Sequence, residues 1–413
     1  MRITNSGTKA RYARVVGAAS LLVMASALSA CGSDGDSGSS DGAVVVQLIG
    51  PFTGSNGAYD PWKSAVIGAV DAINKNGDAG DHKIKLEICD AQQSANTQAA
   101  CGSKTVRNKA VAALTMGSNE QAYLPYLEKA GIPTFGFMVD AKMYTSPVSY
   151  STASAGAAAV QGVLGLAKRE GCEKLVLLRA DPQPPAAVAA YAENWKNAAK
   201  TIGIDTEIVQ AQPGAADMSS FAAKAVGIGS DCMDVVGYGA DEVSLIKAVV
   251  QADPDEKIKL YTTPSLVSPD TVASLGKILD RITGVSFVWD TSEASQAAHP
   301  GIKKFAEEIA EFAPKPNQLD NNSEVMWSQA HAIAEAISKV DGAVTAKKVK
   351  EALDAMSDYD PGTGPKVSFS AEGTDPVPSR MFAPYGVPVK WVDGKAITEG
   401  DFFNLYTGET VAG

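Results

Sequence analysis

AVVVQLIGPFTGSNGAYDPWKSAVIGAVDAINKNG, residues 43–77, passes from an apolar strand through a glycine-containing loop into a helix. Residues 43–49 are apolar almost without a break, the pattern of a strand covered on both faces. Asp60 and Pro61 open the helix: the acid caps free N–H groups, and proline suits a first turn where its missing N–H is not needed. Val66, Val70 and Ile73 give that helix one apolar face, and Gly77 stops it. A buried strand followed directly by such a helix is the opening half of a parallel βαβ unit.

The alternation continues. KIKLEIC (83–89) alternates polar and apolar as a half-exposed strand should, and 94–108 reads as a helix. VAALTMG (111–117) and IPTFGF (132–137) flank a helix from about Glu120. The pattern restarts near Lys174: KLVLLRA (174–180), a helix over 186–200 whose Val188, Tyr191 and Trp195 form a stripe suited to core packing, then TEIVQA, MDVVGYG (233–239) and KLYTTPS (259–265). RITGVSFVW (281–289) is another strand, helices fill 300–356, and KVSFS (366–370) and MFAPYGVPVKWVDGKAI (381–397) read as peripheral strands and hairpins. Strands separated by crossover helices build a parallel sheet covered on both faces. The expectation is α/β, two Rossmann-like lobes with parallel sheets.

Upstream, residues 1–30 carry Arg2, Lys9, Arg11 and Arg14 and no acid, followed by an apolar stretch too short to span a bilayer. This is the pattern of a signal peptide. It ends in Leu28-Ser29-Ala30-Cys31, the bacterial lipobox, in which the thiol is alkylated and the chain cut just before it. Cys31 then carries lipid, and two or three acyl chains anchor durably at about 0.8 kcal/mol per buried CH₂. Residues 31–42, rich in Gly, Ser and Asp, form a flexible tether reaching on the order of 20 Å. Removing residues 1–30 takes four positive charges and no negative one from a net −11, leaving −15. So acidic a body is a poor nucleic-acid binder. No later stretch is apolar for 18 residues.

Four further cysteines fit an oxidising compartment. Cys89 ends a strand and Cys101 lies in the next helix; Cys172 and Cys232 each precede a strand, where neighbouring parallel strands begin side by side. The pairs expected are Cys89–Cys101 and Cys172–Cys232, with free buried thiols as the alternative. A zinc site is disfavoured, since there is no CxxC and His82, His299 and His331 are isolated. No metal or cofactor is expected. GxSxG, HExxH, Walker A and GxGxxG are all absent, and no spacing singles out a carboxylate pair, which favours binding over turnover.

Ligands of parallel sheets lie beyond the carboxyl ends of the strands. There, Ser118 and Asn119 offer a hydroxyl, an amide and backbone donors to a carboxylate, or act as a plain helix cap. Tyr59, Trp62, Phe137 and Tyr238 supply apolar walls, or ordinary packing.

The chain resembles the leucine/isoleucine/valine-binding family of ABC-transporter substrate-binding proteins, with the type I periplasmic binding fold, over about 43–395. The likeness rests on Gly50-Pro51-Phe52-Thr53-Gly54 after the first strand, on Gly68-Ala69-Val70-Asp71-Ala72-Ile73-Asn74 with Gly77 behind it, on Cys89-Asp90 with Gln92, and on Ala130-Gly131-Ile132-Pro133. It implies an extracytoplasmic lipoprotein that captures a small solute in an interlobe cleft and hands it to the permease subunits of an ABC importer. It also implies a three-stranded hinge, with crossings near 152, 285 and 367, so that 43–152 and 286–366 form one lobe and 153–285 and 367–413 the other. In relatives that bind branched-chain amino acids, first-lobe hydroxyl and backbone groups take the α-carboxylate, which Ser118 and Asn119 match. A second-lobe acid takes the ammonium, but Ser265 stands in its place and Gly239, beside Tyr238, where an aromatic is expected. Either Asp181 or Asp241 substitutes, or the solute is not a simple α-amino acid. A ligand-sensing receptor of a signalling system and an anchored hydrolase are the other readings.

Overall fold

The computed structural model describes residues 43–53, 60–92, 94–116, 120–138, 141–154, 158–180, 185–237, 240–262, 269–318 and 321–411. The signal peptide, Cys31 and the tether lie outside them. The first sheet holds β1 (Ala43–Gly50), β2 (Lys83–Asp90), β3 (Ala112–Thr115), β4 (Thr134–Gly136) and β5 (Ser149–Tyr150), all parallel, in the order β2-β1-β3-β4-β5. Its crossovers are α1 (Asp60–Asn76), α2 (Ala95–Arg107) and α3 (Glu120–Ala130).

The second sheet follows α4 (Ala158–Arg169). It alternates β6 (Lys174–Ala180), α5 (Pro185–Ile202), β7 (Asp205–Ala211), α6 (Ser219–Val226), β8 (Cys232–Val236), α7 (Ala240–Ala252), β9 (Lys259–Thr262), α8 (Pro269–Leu275) and β10 (Ile282–Ser286). The chain then returns to the first sheet as α9 (Glu293–Ala298), α10 (Pro300–Phe312), α11 (Asn321–Ser338) and α12 (Ala346–Asp354), α11 packing on α1, β3 and β4. It ends on the second sheet with β11 (Tyr385–Val392), β12 (Lys395–Thr398) and β13 (Phe403–Asn404). The order there is β12-β11-β10-β9-β8-β6-β7, with β13 on β11. Two α/β lobes result, as the spacing of strands and helices implied, joined by three passages of chain, as the resemblance implied.

Each sheet is covered on both faces, and strand alternation decides what goes where. In β1, Val46 and Leu48 point toward α1 and α11, while Ile49 shares the opposite cluster with Tyr123 and Leu124 of α3. Val66, Val70 and Ile73 of α1 are buried, each worth about 1.5–3 kcal/mol against exposure. Gln47 sits in β1 without exposure; its amide donates to the Glu87 carbonyl at 2.7 Å and accepts from Asn108 Nδ2 at 3.2 Å. The β11–β12 turn uses Asp393 (φ 51°) and Gly394 (φ 74°), the pair of left-handed residues a two-residue hairpin turn requires. KVSFS, expected as a strand, forms only the single bridge Val367–Tyr359. Its Phe369 instead packs edge-on against Phe135, Tyr150 and Phe382, so side-chain burial outcompetes a ladder.

Cys89 is bonded to Cys101 and Cys172 to Cys232, the two expected pairs, with Cα separations of 5.7 and 6.2 Å. The second closes a loop of 60 residues against 12 for the first. On chain entropy, replacing Cys172 and Cys232 by Ala is expected to cost about 4 kcal/mol and replacing Cys89 and Cys101 about 3. Urea unfolding of the two double variants reads the difference, and the reverse order would contradict the entropic account.

Candidate functional site

In each sheet the first strand is flanked by the second on one side and the third on the other: β1 lies between β2 and β3, β6 between β7 and β8. Crossovers leave to opposite faces at that point, opening a crevice beyond the carboxyl ends where ligands of such sheets bind. The loops after β1, β3, β6 and β8 therefore frame the candidate site.

On the first lobe, Asp90 at the end of β2 clasps the loop after β1. It accepts the Phe52 N–H at 2.9 Å, the Thr53 N–H at 3.3 Å and the Thr53 hydroxyl, and closes on the Gln92 N–H at 3.1 Å. Burial raises the Asp90 carboxyl, but these donors outweigh it and hold the group below the usual carboxylate range. The Phe52 ring, 9% exposed, carries the Lys63 ammonium 5.1 Å from its centroid. Trp62, in the first turn of α1, meets Phe137 beyond β4 edge to face at 4.9 Å. Two of the expected aromatic walls are thus brought together, Phe137 buried and Trp62 partly so.

On the second lobe a buried polar cluster lies at the same position in the sheet. Arg179 near the end of β6 is 2% exposed, and its guanidinium stacks 3.6 Å from the centroid of Tyr191 of α5. Asp234 of β8, in register with Leu177 and Tyr261, is 2% exposed. Glu242, in the first turn of α7, is fully buried and accepts from the Thr262 hydroxyl at 3.2 Å. The chain reaches Glu242 through Gly237, where a Cβ would lie 2.5 Å from the Glu242 Cα. Burial pushes Asp234 up to about 8 against the pull of Arg179, and pushes Glu242 up to about 8, opposed by Thr262 and assisted by Asp234. The signal for this cluster was available: Arg179 and Asp234 interrupt otherwise apolar strands, and such interruptions are rarely accidental.

Asp241 receives the Gly214 N–H on both carboxylate oxygens, at 3.0 and 3.2 Å, and so ties the loop after β7 to α7. Tyr59, Ser118, Asn119, Asp181, Tyr238 and Ser265 lie outside the described residues. Among the described residues no helix is long and apolar enough to cross a membrane.

A carboxylate that stays protonated when folded but ionises when unfolded loses stability for the native state as pH rises from the ordinary carboxylate range toward about 8. Asp234→Asn and Glu242→Gln do not titrate. Their melting temperatures relative to the parent chain are expected to rise between pH 5 and pH 8; melts that stay parallel across that window would contradict the protonated pair.

The periplasmic binding protein family profile matches residues 44–383. Among solved structures, a branched-chain amino acid ABC transporter from Thermus thermophilus with bound valine is 16% identical with a TM-score of 0.69, covering 88% of this chain and 97% of its own. A solute-binding protein of an ABC transporter from R. palustris, in complex with 4-hydroxybenzoate, is 18% identical with a TM-score of 0.65, covering 88% and 97%. A fatty acid ABC transporter substrate-binding protein from Thermomonospora curvata is 18% identical at 0.65, covering 89% and 96%. At such identities the likeness establishes the fold. A search by sequence among curated proteins finds no match. With two doubly wound sheets, three passages between them and a profile spanning most of its length, the chain belongs to the periplasmic binding protein family, whose members bind rather than transform their solutes.

Proposed function

We propose that the mature chain is a lipid-anchored, extracytoplasmic solute-binding component of an ABC importer, tethered to the membrane through acylated Cys31, which presents a small polar solute to permease subunits. The observation that carries this reading is the pair of strand-crossing points, one in each lobe, each bordered by loops and joined by three passages of chain. The lipobox supports the anchor. We draw the lobes as 43–154 with 287–383, and 158–286 with 384–411. Val367, Phe369, Phe382 and Ala383 share the cluster of β1 and α11, which supports a third passage nearer the start of β11 than the 367 that the resemblance implies.

The solute class is a small polar compound, an amino acid, amide or related compound, with a carboxylate favoured by the donors before α3. Ser118 and Asn119, just before α3, supply hydroxyl, amide and N–H donors; Tyr59, Trp62, Phe137 and Tyr238 supply walls; Ser265 supplies a hydroxyl. Valine, 4-hydroxybenzoate and fatty acids, the ligands of the solved relatives, share a carboxylate. Asp241 receives Gly214 with acceptor capacity to spare, so Asp181 or Asp241 is the acid to meet an ammonium where the solute brings one.

A thermal-shift screen of amino acids, amides, aromatic acids and fatty acids tests the reading. A true ligand at a hundred times its dissociation constant stabilises the fold by about 2.7 kcal/mol. Carboxylates lacking an ammonium are expected to outrank the matching α-amino acids, and Asn119→Ala to weaken binding. Chemical conversion of the bound solute, or no stabilisation across the panel, would overturn it. For the anchor, Cys31→Ser is expected to release the chain from the membrane fraction; an unchanged membrane share would refute it.

A further inference from the structure

We propose a second site in the first lobe, distinct from the cleft, that binds a divalent transition metal such as zinc through Asp78, Glu308 and His331. Asp78 follows α1, beyond a 17-residue helix that puts it about 25 Å along the axis from Asp60. Glu308 comes from α10 and His331 from α11. One donor atom from each of the three residues lies within 4.8 Å of the other two. His331 Nε2 is 2.8 Å from Glu308 Oε2, and its Nδ1 is 3.5 Å from Asp78 Oδ2.

Four features point to a metal. One imidazole with two carboxylates is a donor set that zinc and its neighbours in the transition series accept, whereas magnesium and calcium favour oxygen alone. Tetrahedral zinc with bonds of about 2.0–2.2 Å spaces its donors about 3.3–3.5 Å apart, so Glu308 needs only to open slightly from His331 Nε2, while Asp78, on a turn and facing Nδ1, must swing to the Nε2 side to complete the set. The Glu308 carboxylate is already oriented by the Trp327 Nε1–H at 2.8 Å, the kind of outer contact that fixes metal ligands. Asp78 and His331 also line a cavity of about 450 Å³, which admits an ion and leaves water for the remaining coordination position.

The charge balance agrees. Glu335 and Asp360 line the same cavity, and the lysine facing the cluster is Lys304, with its ammonium 3.2 Å from Asp78 Oδ2 and 3.6 Å from Glu308 Oε1. Its side chain is 46% exposed, so the ammonium can swing into solvent when a dication takes its place.

Isothermal titration of the tag-free mature chain with ZnCl₂ tests the site. One equivalent is expected to bind, with at least tenfold weaker affinity in H331Q and in D78N, and tighter affinity in K304M, which lacks the competing ammonium. Asp78 is partly exposed, so D78N should keep its metal-free melting temperature and separate lost ligation from lost folding. Absence of saturable binding in the parent chain, binding unchanged in H331Q and D78N, weaker binding in K304M, or equal affinity for MgCl₂ would each overturn the assignment.

Discussion

Parallel pairing on both edges of β1, eight residues long with β2 and four with β3, leaves no place for a tight hairpin at either end of the strand. The connections from β1, β2 and β3 therefore cross the sheet as helices, and the carboxyl ends of β1 to β5 point the same way, toward the loops. β6 repeats the arrangement with β7 and β8. Because the strands are fully paired, their backbones have nothing left to offer a solute; recognition is left to helix N-termini, side chains and exposed loop amides.

The passages between the lobes are held by short polar contacts. Ser154 donates to the Ala383 carbonyl, and Asn321 Nδ2 donates to Ser286 Oγ at 2.7 Å. Asp290 receives the Thr398 N–H at 3.0 Å and its hydroxyl at 2.6 Å; burial raises this carboxyl, but the Ser292 and Thr398 donors hold it below the usual range. Trp289 stacks on His299 at 4.1 Å with Phe402 edge-on at 4.7 Å. Contacts of this kind fix the path of each passage, and the cluster that joins Ile49 and Tyr123 to Val163 and Leu175 packs the two lobes together beside them.

Legibility in the sequence followed the strength of local pattern. β1 was readable to within a residue because apolar run, capping acid and proline agree, and both disulfides because their cysteines sit at strand and helix positions that the parallel order brings side by side. KVSFS misled because an alternating pattern does not say whether an edge partner exists; only the aromatic cluster of Phe135, Tyr150 and Phe382 explains where Phe369 goes. The contact of Asp241 with Gly214 could not be read either, since the two lie 27 positions apart along the chain. His331 appeared isolated because its partners lie 23 and 253 positions away along the chain, a distance that only tertiary packing removes.

Beneath the second-lobe loops, burial pushes Asp234 and Glu242 up to about 8, toward their protonated forms, beside the Arg179 guanidinium. Two ionised carboxylates would make that floor negative; two protonated ones leave the guanidinium as its net charge. In a medium of low dielectric a positive floor acts on the loops above it far more strongly than the same charge in water. The charge presented at this end of the sheet is therefore set by how the strands bury ionisable groups, before any loop side chain is counted.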